Sequence, residues 1–446
     1  MKIAIIGAGW AGAAAAHYLP LHYDVHVFEA SRHIGGRARG FDSQKLQRTI
    51  DNGQHLLLGA YTQSLALMQS LGINLEQAFH RFDLTIESAD QQQRLKAWPL
   101  PAPLHLLGAF LSSKGFSGAD KLAMLRLQRS LQRQGWRTTS GQTVLQLLQA
   151  TQQTATLIDC LWQPLCLAAM NTPIELACAQ LFAYVLRDSL GGQRRDSQML
   201  IPKHNLSALW PKHALQGRTV HLGQRVERVT PLPEQSGCLV DDAYFDACLI
   251  TTPPYATARL FQSQALDALA ASSLLEMDAV AAWLNGLQQV KYRPIATLYL
   301  QLEQAWHEPV PMLMLHEDRS RHHYGQWLFN HQAIPDSFAS PLLSVVISDA
   351  DALSAHPREL VVKRIEEQLR EQLQGRLPLP AVQATELIIE KRATFEATPN
   401  CFRASMQSPW PNILLAGDWV DSEYPGVLES AVRSAKHCAE FLNQEP

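Results

Sequence analysis

Residues 2–29 contain the pattern that most constrains this chain: an apolar strand, a glycine turn, an Ala-rich helix and a second strand. A turn that leaves a strand and opens a helix directs backbone N–H groups and the positive helix end toward a pyrophosphate. Gly7 permits the tight turn, Gly9 allows a phosphate to approach, and Gly12 lets the helix pack closely on the strand. The pattern predicts a dinucleotide-binding βαβ unit.

Two further features of this region narrow the type of dinucleotide. Glu29 ends the second strand, where a carboxylate can accept hydrogen bonds from both hydroxyls of an unphosphorylated adenosine ribose. Gly35-Gly36-Arg37-Ala38-Arg39 follows, and Arg37 offers a fork of donors to a pyrophosphate. This run resembles the GG-Arg fingerprint of the glutathione-reductase-like flavoproteins, above all the flavin amine oxidase and phytoene desaturase group. The resemblance implies FAD, whereas the alternative is a solvated polar loop.

Composition excludes several function classes. The net charge of −3, the pI near 6.6 and the scattered Lys and Arg residues argue against a nucleic-acid partner. Seven dispersed cysteines form no CxxC pair, which favours reduced thiols in a cytosolic compartment. We expect no metal site. No window approaches eighteen uninterrupted apolar residues, so we expect no membrane span.

Periodicity along the rest of the chain predicts an α/β fold with two interleaved domains. The FAD-binding Rossmann-like domain, of the glutathione-reductase and amine-oxidase type, is expected over 1–90, 205–285 and 395–446. An α+β substrate domain is expected over 91–204 (a helical block) and 286–394 (an antiparallel sheet). Predicted helices cover 12–20, 60–72, much of 98–190, 357–374 and 427–442, and predicted strands cover 2–6, 24–29, 218–229, 246–250, 294–302, 311–316, 324–329, 342–348 and 384–391.

The family resemblance extends to both ends of the chain. Val226 matches the valine whose backbone binds adenine, and Gly417-Asp418 matches the strand end whose aspartate binds the ribityl chain and phosphate. The helix that begins near Val427 would direct N–H groups at the flavin C2 carbonyl. The cofactor-binding residues implied in total are Gly7, Gly9, Ala11, Gly12, Glu29, Ala30, Gly36, Arg37, Gly53, Gln54, His55, Val226, Gly417, Asp418, Val427 and Leu428. The family usually has Ser-Gly where this chain has Ser434-Ala435.

Three segments resemble a narrower subgroup, the squalene-associated hydroxysqualene dehydroxylases of bacterial hopanoid biosynthesis. They are the Asn-Gly-Gln-His turn at 52–55, the run 162–173 and the aromatic-Pro-x-x-x-Glu run 424–429. This resemblance implies that a squalene skeleton with one allylic hydroxyl loses it as water and receives a hydride from reduced FAD. The partners implied are a long apolar isoprenoid and an electron donor that the sequence does not identify.

Two side chains are candidates for catalysis. His55 lies in a turn expected beside the flavin, and imidazole titrates near neutral pH. A structural histidine bonded to the cofactor is an equally good interpretation. Tyr424 is expected to form one wall of the site. No attachment motif surrounds Cys401, so we expect non-covalent FAD.

Three rival functions share this scaffold. A carotenoid-type desaturase or isomerase would use it for oxidation. An amine oxidase usually has a flavin-linked lysine, and Lys203 and Lys291, the lysines in plausible regions, lack a matching motif. A prenyl carrier of the GDP-dissociation-inhibitor kind would have no reason to retain every FAD contact.

Residues 98–111 are the predicted membrane contact, because the substrate resides in a bilayer. The segment is apolar, punctuated by prolines, and followed by Lys114 and Lys121. We expect a cytoplasmic protein that is peripheral on the inner face of the cytoplasmic membrane. The alternative is a buried loop that leads into a core helix, and Leu106 and Phe110 are the positions at which the sequence suggests testing this.

Overall fold

The computed structural model describes residues 1–232, 237–335 and 341–444. The strands are β1 Lys2–Ile6, β2 Asp24–Glu29, β3 Gly40–Ser43, β4 Arg48–Asp51, β5 Leu57–Leu58, β6 Phe79–Phe82, β7 Thr85–Glu87, β8 Arg94–Lys96, β9 Met199–Pro202, β10 Thr219–Leu222, β11 Val229–Pro231, β12 Cys238–Val240, β13 Ala243–Phe245, β14 Ala247–Ile250, β15 Tyr292–Leu302, β16 Met312–Met314, β17 Trp327–Asn330, β18 Leu342–Ser348, β19 Val382–Phe395 and β20 Ile413–Leu415.

The helices follow the same chain order. They are α1 Trp10–Tyr18, α2 Thr62–Ser70, α3 Leu75–Ala78, α4 Leu104–Leu111, α5 Gly118–Arg133, α6 Val144–Ala150, α7 Ala155–Leu157, α8 Gln163–Met170, α9 Ala179–Leu190, α10 Arg194–Ser197, α11 Leu206–Leu209, α12 Pro211–Ala214, α13 Pro254–Arg259, α14 Leu266–Ala271, α15 Met277–Gln289, α16 Arg358–Gln372 and α17 Leu428–Gln444. A π-helical turn covers Ile158–Trp162, and short 3₁₀ helices cover Arg319–Arg321, His331–Ala333 and Ala350–Ala355.

A five-stranded parallel sheet joins distant parts of the chain in the order β10-β2-β1-β14-β20. Side chains alternate between its two faces: Ile3 and Ile5 pack in one core with α1 and α17, whereas Ala4 and Ile6 pack on the side of Phe245. Both faces are therefore covered, as a parallel sheet requires. The α/β fold class is confirmed.

The second large sheet is antiparallel, in the order β16-β17-β18-β15-β19. It lies in the region predicted as the sheet of the substrate domain, and helix α16 packs on it with Val361 and Ile365 fully buried. The exact domain boundaries stay a prediction.

Several local predictions need correction. The predicted strand 218–229 is two strands in different sheets, because residues 223–228 leave β10 and turn along the edge of the parallel sheet. The small strands β3 to β9 were not predicted, since strands of two to four residues give too little alternation to detect. Within 98–190 the chain forms α4 to α9, but residues 98–103 are not helical.

Candidate active site

One large cavity runs from the carboxyl ends of β1, β2 and β14 into the helical block. Its volume is about 1340 Å³, which exceeds the roughly 300–1,000 Å³ of a pocket for one drug-sized ligand. Ligands of open α/β sheets bind beyond the carboxyl ends of the strands, so the sheet places the cavity where a dinucleotide is expected. The remaining volume provides room for a second ligand.

At each of the three turn positions, a different physical requirement explains why the residue is a glycine. Gly7 has a φ of +110°, and a Cβ there would meet Thr251 Oγ1 at 2.7 Å. A Cβ on Gly12 would lie 1.9 Å from the Gly7 carbonyl oxygen, so this glycine is required for packing of helix on strand. A Cβ on Gly9 would meet no protein atom closer than 3.6 Å. Protein packing does not explain Gly9, whereas close approach of a phosphate does.

Glu29 is fixed by the backbone around it. Oε2 accepts a hydrogen bond from Ala8 N at 2.8 Å, and Oε1 accepts one from Ser31 N at 2.8 Å. Each carboxylate oxygen keeps a second lone pair, and the residue lies on the cavity wall. The carboxylate is therefore fixed in a position that allows it to accept hydrogen bonds from ribose hydroxyls.

Arg37 and Asp418 bring the two ends of the chain together. Arg37 Nη2 lies 2.5 Å from Asp418 Oδ1, and Nη1 donates to the Ala393 carbonyl oxygen at 2.6 Å. Both side chains lie on the cavity wall. The pair therefore joins the Gly35-Gly36-Arg37 loop to the segment after β20, so residues from both ends of the sequence contribute to one cavity wall.

A serine inside α17 forms hydrogen bonds with the backbone of Gly417, which follows β20. Ser434 Oγ lies 2.9 Å from Gly417 N and accepts its hydrogen bond, and lies 3.1 Å from the Gly417 carbonyl oxygen. Ala435 is fully buried. The Ser-Ala sequence at this point is therefore accommodated, and Val427 and Leu428 lie on the cavity wall.

Most of the cofactor-binding residues inferred from the sequence share this one wall. Gly12 lies instead in the contact between helix and strand. The others lie on the wall: Gly7, Gly9, Ala11, Glu29, Ala30, Gly36, Arg37, Gly53, Gln54, His55, Val226, Gly417, Asp418, Val427 and Leu428. Their individual contacts with a cofactor stay predictions.

The geometry of His55 favours a hydrogen-bond acceptor at Nε2 over a proton donor. Its Nδ1 lies 2.7 Å from the Gly53 carbonyl oxygen, so Nδ1 carries the proton and donates it. Burial lowers the pKa of His55 to about 4, so at neutral pH the ring is uncharged and Nε2 has no proton to give. That His55 is the proton donor stays a prediction, which this geometry disfavours.

Tyr424 belongs to a polar cluster in the cavity wall. Its hydroxyl donates to Asp188 Oδ2 at 2.5 Å and accepts from Arg433 Nη1 at 2.9 Å. Burial and the Asp188 carboxylate raise the pKa of Tyr424, so the phenol stays protonated at neutral pH. Arg187 holds Asp188 through Nε at 2.6 Å. This cluster places polar groups on the cavity wall.

Sequence reasoning missed Asp188 and Arg433. The signal for Asp188 is present: Arg187 and Asp188 are the only charged residues between positions 176 and 193, on an otherwise apolar amphipathic segment. Arg433 gives no such signal, because it lies in α17 whereas Tyr424 lies in the loop before that helix, so helical periodicity does not pair them.

The part of the cavity wall that comes from α4, the π-helical turn, α8 and the antiparallel sheet is largely apolar. It includes Leu106, Phe110, Trp162, Leu165, Trp327 and Phe329. Leu106 and Phe110 therefore point into the cavity. Substitutions at these two positions would therefore test the cavity wall and not a solvent-exposed face of α4.

Comparison with known proteins identifies the family. A sequence model of the flavin-containing amine oxidoreductases matches residues 11–443. The chain belongs to this family. The protein is therefore a flavin-dependent oxidoreductase. Among the described residues, no group of three or more His, Cys, Asp or Glu side chains is arranged to hold a metal ion.

Named relatives narrow the resemblance within the flavin-containing amine oxidoreductases. The chain is 28% identical over 462 residues to a hydroxysqualene dehydroxylase of Rhodopseudomonas palustris, with 98% of this chain and 97% of that one covered. It is 27% identical to one of Sinorhizobium fredii, with 100% and 99% covered. A zeta-carotene desaturase of Capsicum annuum is 32% identical over 27% of this chain and 21% of that protein. The resemblance to the squalene-associated subgroup is confirmed.

Solved structures share the fold. An oxidoreductase from Methanosarcina mazei superimposes with a TM-score of 0.72 at 16% identity, covering 99% of this chain and 100% of that one. The chain therefore has the same fold as this oxidoreductase.

Proposed function

We propose that this enzyme removes the allylic hydroxyl of hydroxysqualene and gives squalene. The allylic C–O bond breaks, a C–H bond forms with a hydride, and a proton joins the leaving oxygen to give water. A reduced flavin supplies the hydride and is oxidised by two electrons. A separate electron donor must reduce the flavin again, and the chain's own features do not identify it.

The observation that carries this proposal is the continuity of the cavity. The glycine turn proposed as the dinucleotide site and a largely apolar compartment share one space, and Tyr424 and Asp188 also lie on its wall. A hydrocarbon with one hydroxyl matches that distribution of polar and apolar surface. Two relatives named as hydroxysqualene dehydroxylases cover nearly the whole chain.

The protein's own groups have separate tasks in this reaction. The apolar wall, with Leu106, Trp162 and Phe329, excludes water from an allylic cation and orders the hydrocarbon. Tyr424, protonated at neutral pH, is our candidate to donate to the leaving oxygen, for which its single O–H must turn away from Asp188 Oδ2, its acceptor in this structure. Arg433 and Asp188 hold its hydroxyl in place.

We infer that the flavin is FAD and that it is bound without a covalent link. Glu29 suits an adenosine ribose, and the glycine turn suits a pyrophosphate. No cysteine lines the cavity within the part of the chain that the structure describes. Acid denaturation should therefore release all of the yellow colour into the supernatant, and retention of flavin in the protein pellet would contradict this inference.

The protein is also proposed to be peripheral on the inner face of the cytoplasmic membrane, where its substrate resides. Over residues 1–232, 237–335 and 341–444, no helix is both long and apolar enough to cross a bilayer.

A second candidate function is a desaturase that acts on a related isoprenoid, favoured by the local similarity to zeta-carotene desaturase. Neither Lys203 nor Lys291, the lysines considered for an amine oxidase, lies on the cavity wall. Product analysis distinguishes dehydroxylation of hydroxysqualene from desaturation of an isoprenoid. Incubation of reduced protein with hydroxysqualene should give squalene by mass spectrometry, whereas oxidised protein that creates new conjugated double bonds would support the desaturase.

A further inference from the structure

Helix α4 presents a row of apolar side chains to solvent. Leu104, Leu107 and Leu111 are 50%, 41% and 65% exposed, and their spacing places them on one face of the helix. Trp98 and Leu100, in the loop before the helix, are also exposed. We call these five residues the apolar face. Five large apolar side chains in one exposed group mark a surface that binds another apolar phase.

Specific contacts hold Trp98 of the apolar face against helix α4. The Trp98 ring lies across Gly108, where a Cβ would come within 2.3 Å of the ring. Trp98 Nε1 donates to Ser112 Oγ at 3.0 Å, which ties the ring to the end of the helix. A glycine in the helix interior costs about 1 kcal/mol relative to alanine, and the seat for Trp98 gives it a structural reason.

The opposite side of α4 lines the active-site cavity. Leu106 is buried and Phe110 is partly buried, and both contribute to the cavity wall. A single helix therefore separates the apolar compartment from the apolar face. A bilayer that contacts this face would therefore lie one helix away from the cavity.

A basic stripe continues from the apolar face along helix α5. Leu122, Arg126, Arg129 and Arg133 are exposed and share one side of the helix, and Lys121 Nζ donates to the Leu111 carbonyl oxygen at 2.8 Å, which joins the two surfaces. Between positions 98 and 137 there are six Lys or Arg residues and one acidic residue, Asp120. Asp120 is buried in a capping box with Ser117. The region is strongly cationic in a chain whose net charge is −3.

We propose that the apolar face and the basic stripe together form a docking surface for an anionic lipid bilayer. Helix α4 lies in the interface with its leucines among the acyl chains, and the arginines of α5 contact lipid phosphates. At eight residues, α4 is about 12 Å long and can lie in the interface but cannot span a bilayer. The inference rests on the proposed function for its purpose, since the docked helix positions the cavity for a bilayer-borne isoprenoid.

Charge complementarity favours a bilayer over a protein partner. Anionic headgroups attract each Lys or Arg near the surface, and the apolar face alone would not select them. The combination of an apolar row with a flanking cationic stripe and exposed Trp98 is typical of helices that lie in a membrane interface.

Sedimentation with vesicles tests the surface without any substrate. The flavin-loaded protein should bind vesicles that contain 30 mol% phosphatidylglycerol in phosphatidylcholine and bind pure phosphatidylcholine much more weakly, with binding falling as NaCl rises. Equal binding to both vesicle types, or none to either, would overturn the proposal.

Two sets of variants separate the two components. Leu107→Asp with Leu111→Asp should abolish vesicle binding, with Leu21→Asp and Leu377→Asp, two exposed leucines elsewhere, as the matched control. Arg126→Gln, Arg129→Gln and Arg133→Gln together should weaken binding to anionic vesicles roughly a hundredfold. Removing three exposed charges elsewhere, with Lys212→Gln, Arg358→Gln and Lys363→Gln, should change it less than threefold. Control variants that lose as much binding as the test variants would contradict the proposed surface.

Substrate presentation keeps this test independent of the proposed function. In detergent micelles, the docking variants should convert hydroxysqualene at the wild-type rate, and in vesicles they should not. If wild-type protein binds anionic vesicles but converts no hydroxysqualene in micelles, the proposed function fails and the docking surface stands. If the aspartate variants only dissolve a dimer, seen by size-exclusion chromatography, and wild-type protein ignores vesicles, the surface binds a second copy and the proposal is overturned.

Discussion

At the scale of single residues, Gly9 is where the fold and the ligand site can be separated by experiment. A Cβ there fits the protein, whereas a Cβ on Gly12 collides with the Gly7 carbonyl oxygen. We predict that Gly9→Ala folds with a cost of about 1 kcal/mol or less at the helix N-cap. It should lose flavin affinity at least roughly tenfold, or about 1.4 kcal/mol, because the methyl group occupies the space of a phosphate.

Gly12→Ala is the matched comparison, since it should lower the melting temperature clearly by overpacking helix against strand. Flavin content is measured by absorbance and stability by thermal denaturation. Full flavin loading of Gly9→Ala would contradict the position assigned to the pyrophosphate.

Replacing the two candidate proton donors should lower the turnover rate to very different extents. Tyr424→Phe should lower the rate of anaerobic turnover by roughly a hundredfold or more, within the usual range for loss of a general acid, and should keep its flavin. His55→Gln should reduce the rate much less, because His55 has no proton on Nε2 at neutral pH. Stopped-flow absorbance of the flavin measures both. A larger loss in His55→Gln would reverse the assignment.

Asp51 should make stability depend on pH. Burial raises its pKa to about 7, above the value of about 3.9 in an unfolded chain. A raised folded pKa means that the stability contribution is fully present below about pH 4 and is lost as pH rises to 7. Asp51→Asn keeps an acceptor for Leu206 N but never ionises. It should therefore gain stability over wild type by a few kcal/mol at pH 8, at about 1.36 kcal/mol per pKa unit, and almost none at pH 4.

Urea denaturation of the flavin-loaded protein at both pH values measures this effect. Asp242→Asn, at a fully exposed position, is the control and should change little at either pH. An identical effect of Asp51→Asn at pH 4 and pH 8 would show that the carboxyl group titrates normally.

Sequence predicts the residues of the proposed flavin site because their spacing is local. Gly7, Gly9 and Gly12 fall within one turn, and Glu29 ends the next strand. The partners of Tyr424 could not be predicted in the same way. Asp188 lies 236 positions away in the sequence, and only the packing of α9 against the loop before α17 brings it to the hydroxyl.

At the scale of elements, α17 and α2 are connected by one buried side chain. Glu429 accepts hydrogen bonds from Gln63 N, Ser64 N and Ser64 Oγ at 3.0, 2.9 and 2.7 Å, so it caps the first turn of α2. We predict that Glu429→Ala destabilises the protein by at least about 3 kcal/mol, because these donors lose a charged acceptor in a buried setting.

Glu440→Ala is the control on the same helix. Glu440 is half exposed and pairs with Lys436, so its loss should cost less than about 1 kcal/mol. Thermal denaturation of both variants checks the prediction. Similar melting temperatures would mean that Glu429 does not support α2, and that its place in the aromatic-Pro-x-x-x-Glu run reflects another role.

Periodicity predicted helices where α4 and α17 form but could not assign the faces of α4. Leucine occupies both of its sides, at positions 104, 106, 107 and 111. Only the structure distinguishes Leu106, which lines the cavity, from Leu107, which faces solvent.

At the scale of the whole molecule, the flavin site exists only when distant segments meet. The parallel sheet takes its strands from residues 2–29, 219–222, 247–250 and 413–415. The Arg37–Asp418 pair, 381 positions apart, then closes the cavity. The α/β class follows from the sequence pattern, whereas the order β10-β2-β1-β14-β20 depends on nonlocal pairing that periodicity does not encode.

In the proposed reaction, an allylic carbon in this cavity receives a hydride as its hydroxyl leaves. Anaerobic mixing of the reduced protein with hydroxysqualene tests this step, with flavin absorbance and squalene followed together. We expect the flavin to be reoxidised completely without oxygen, with one squalene formed per flavin and no conjugated polyene. Flavin that stays reduced while hydroxysqualene is recovered unchanged would rule out this hydride transfer.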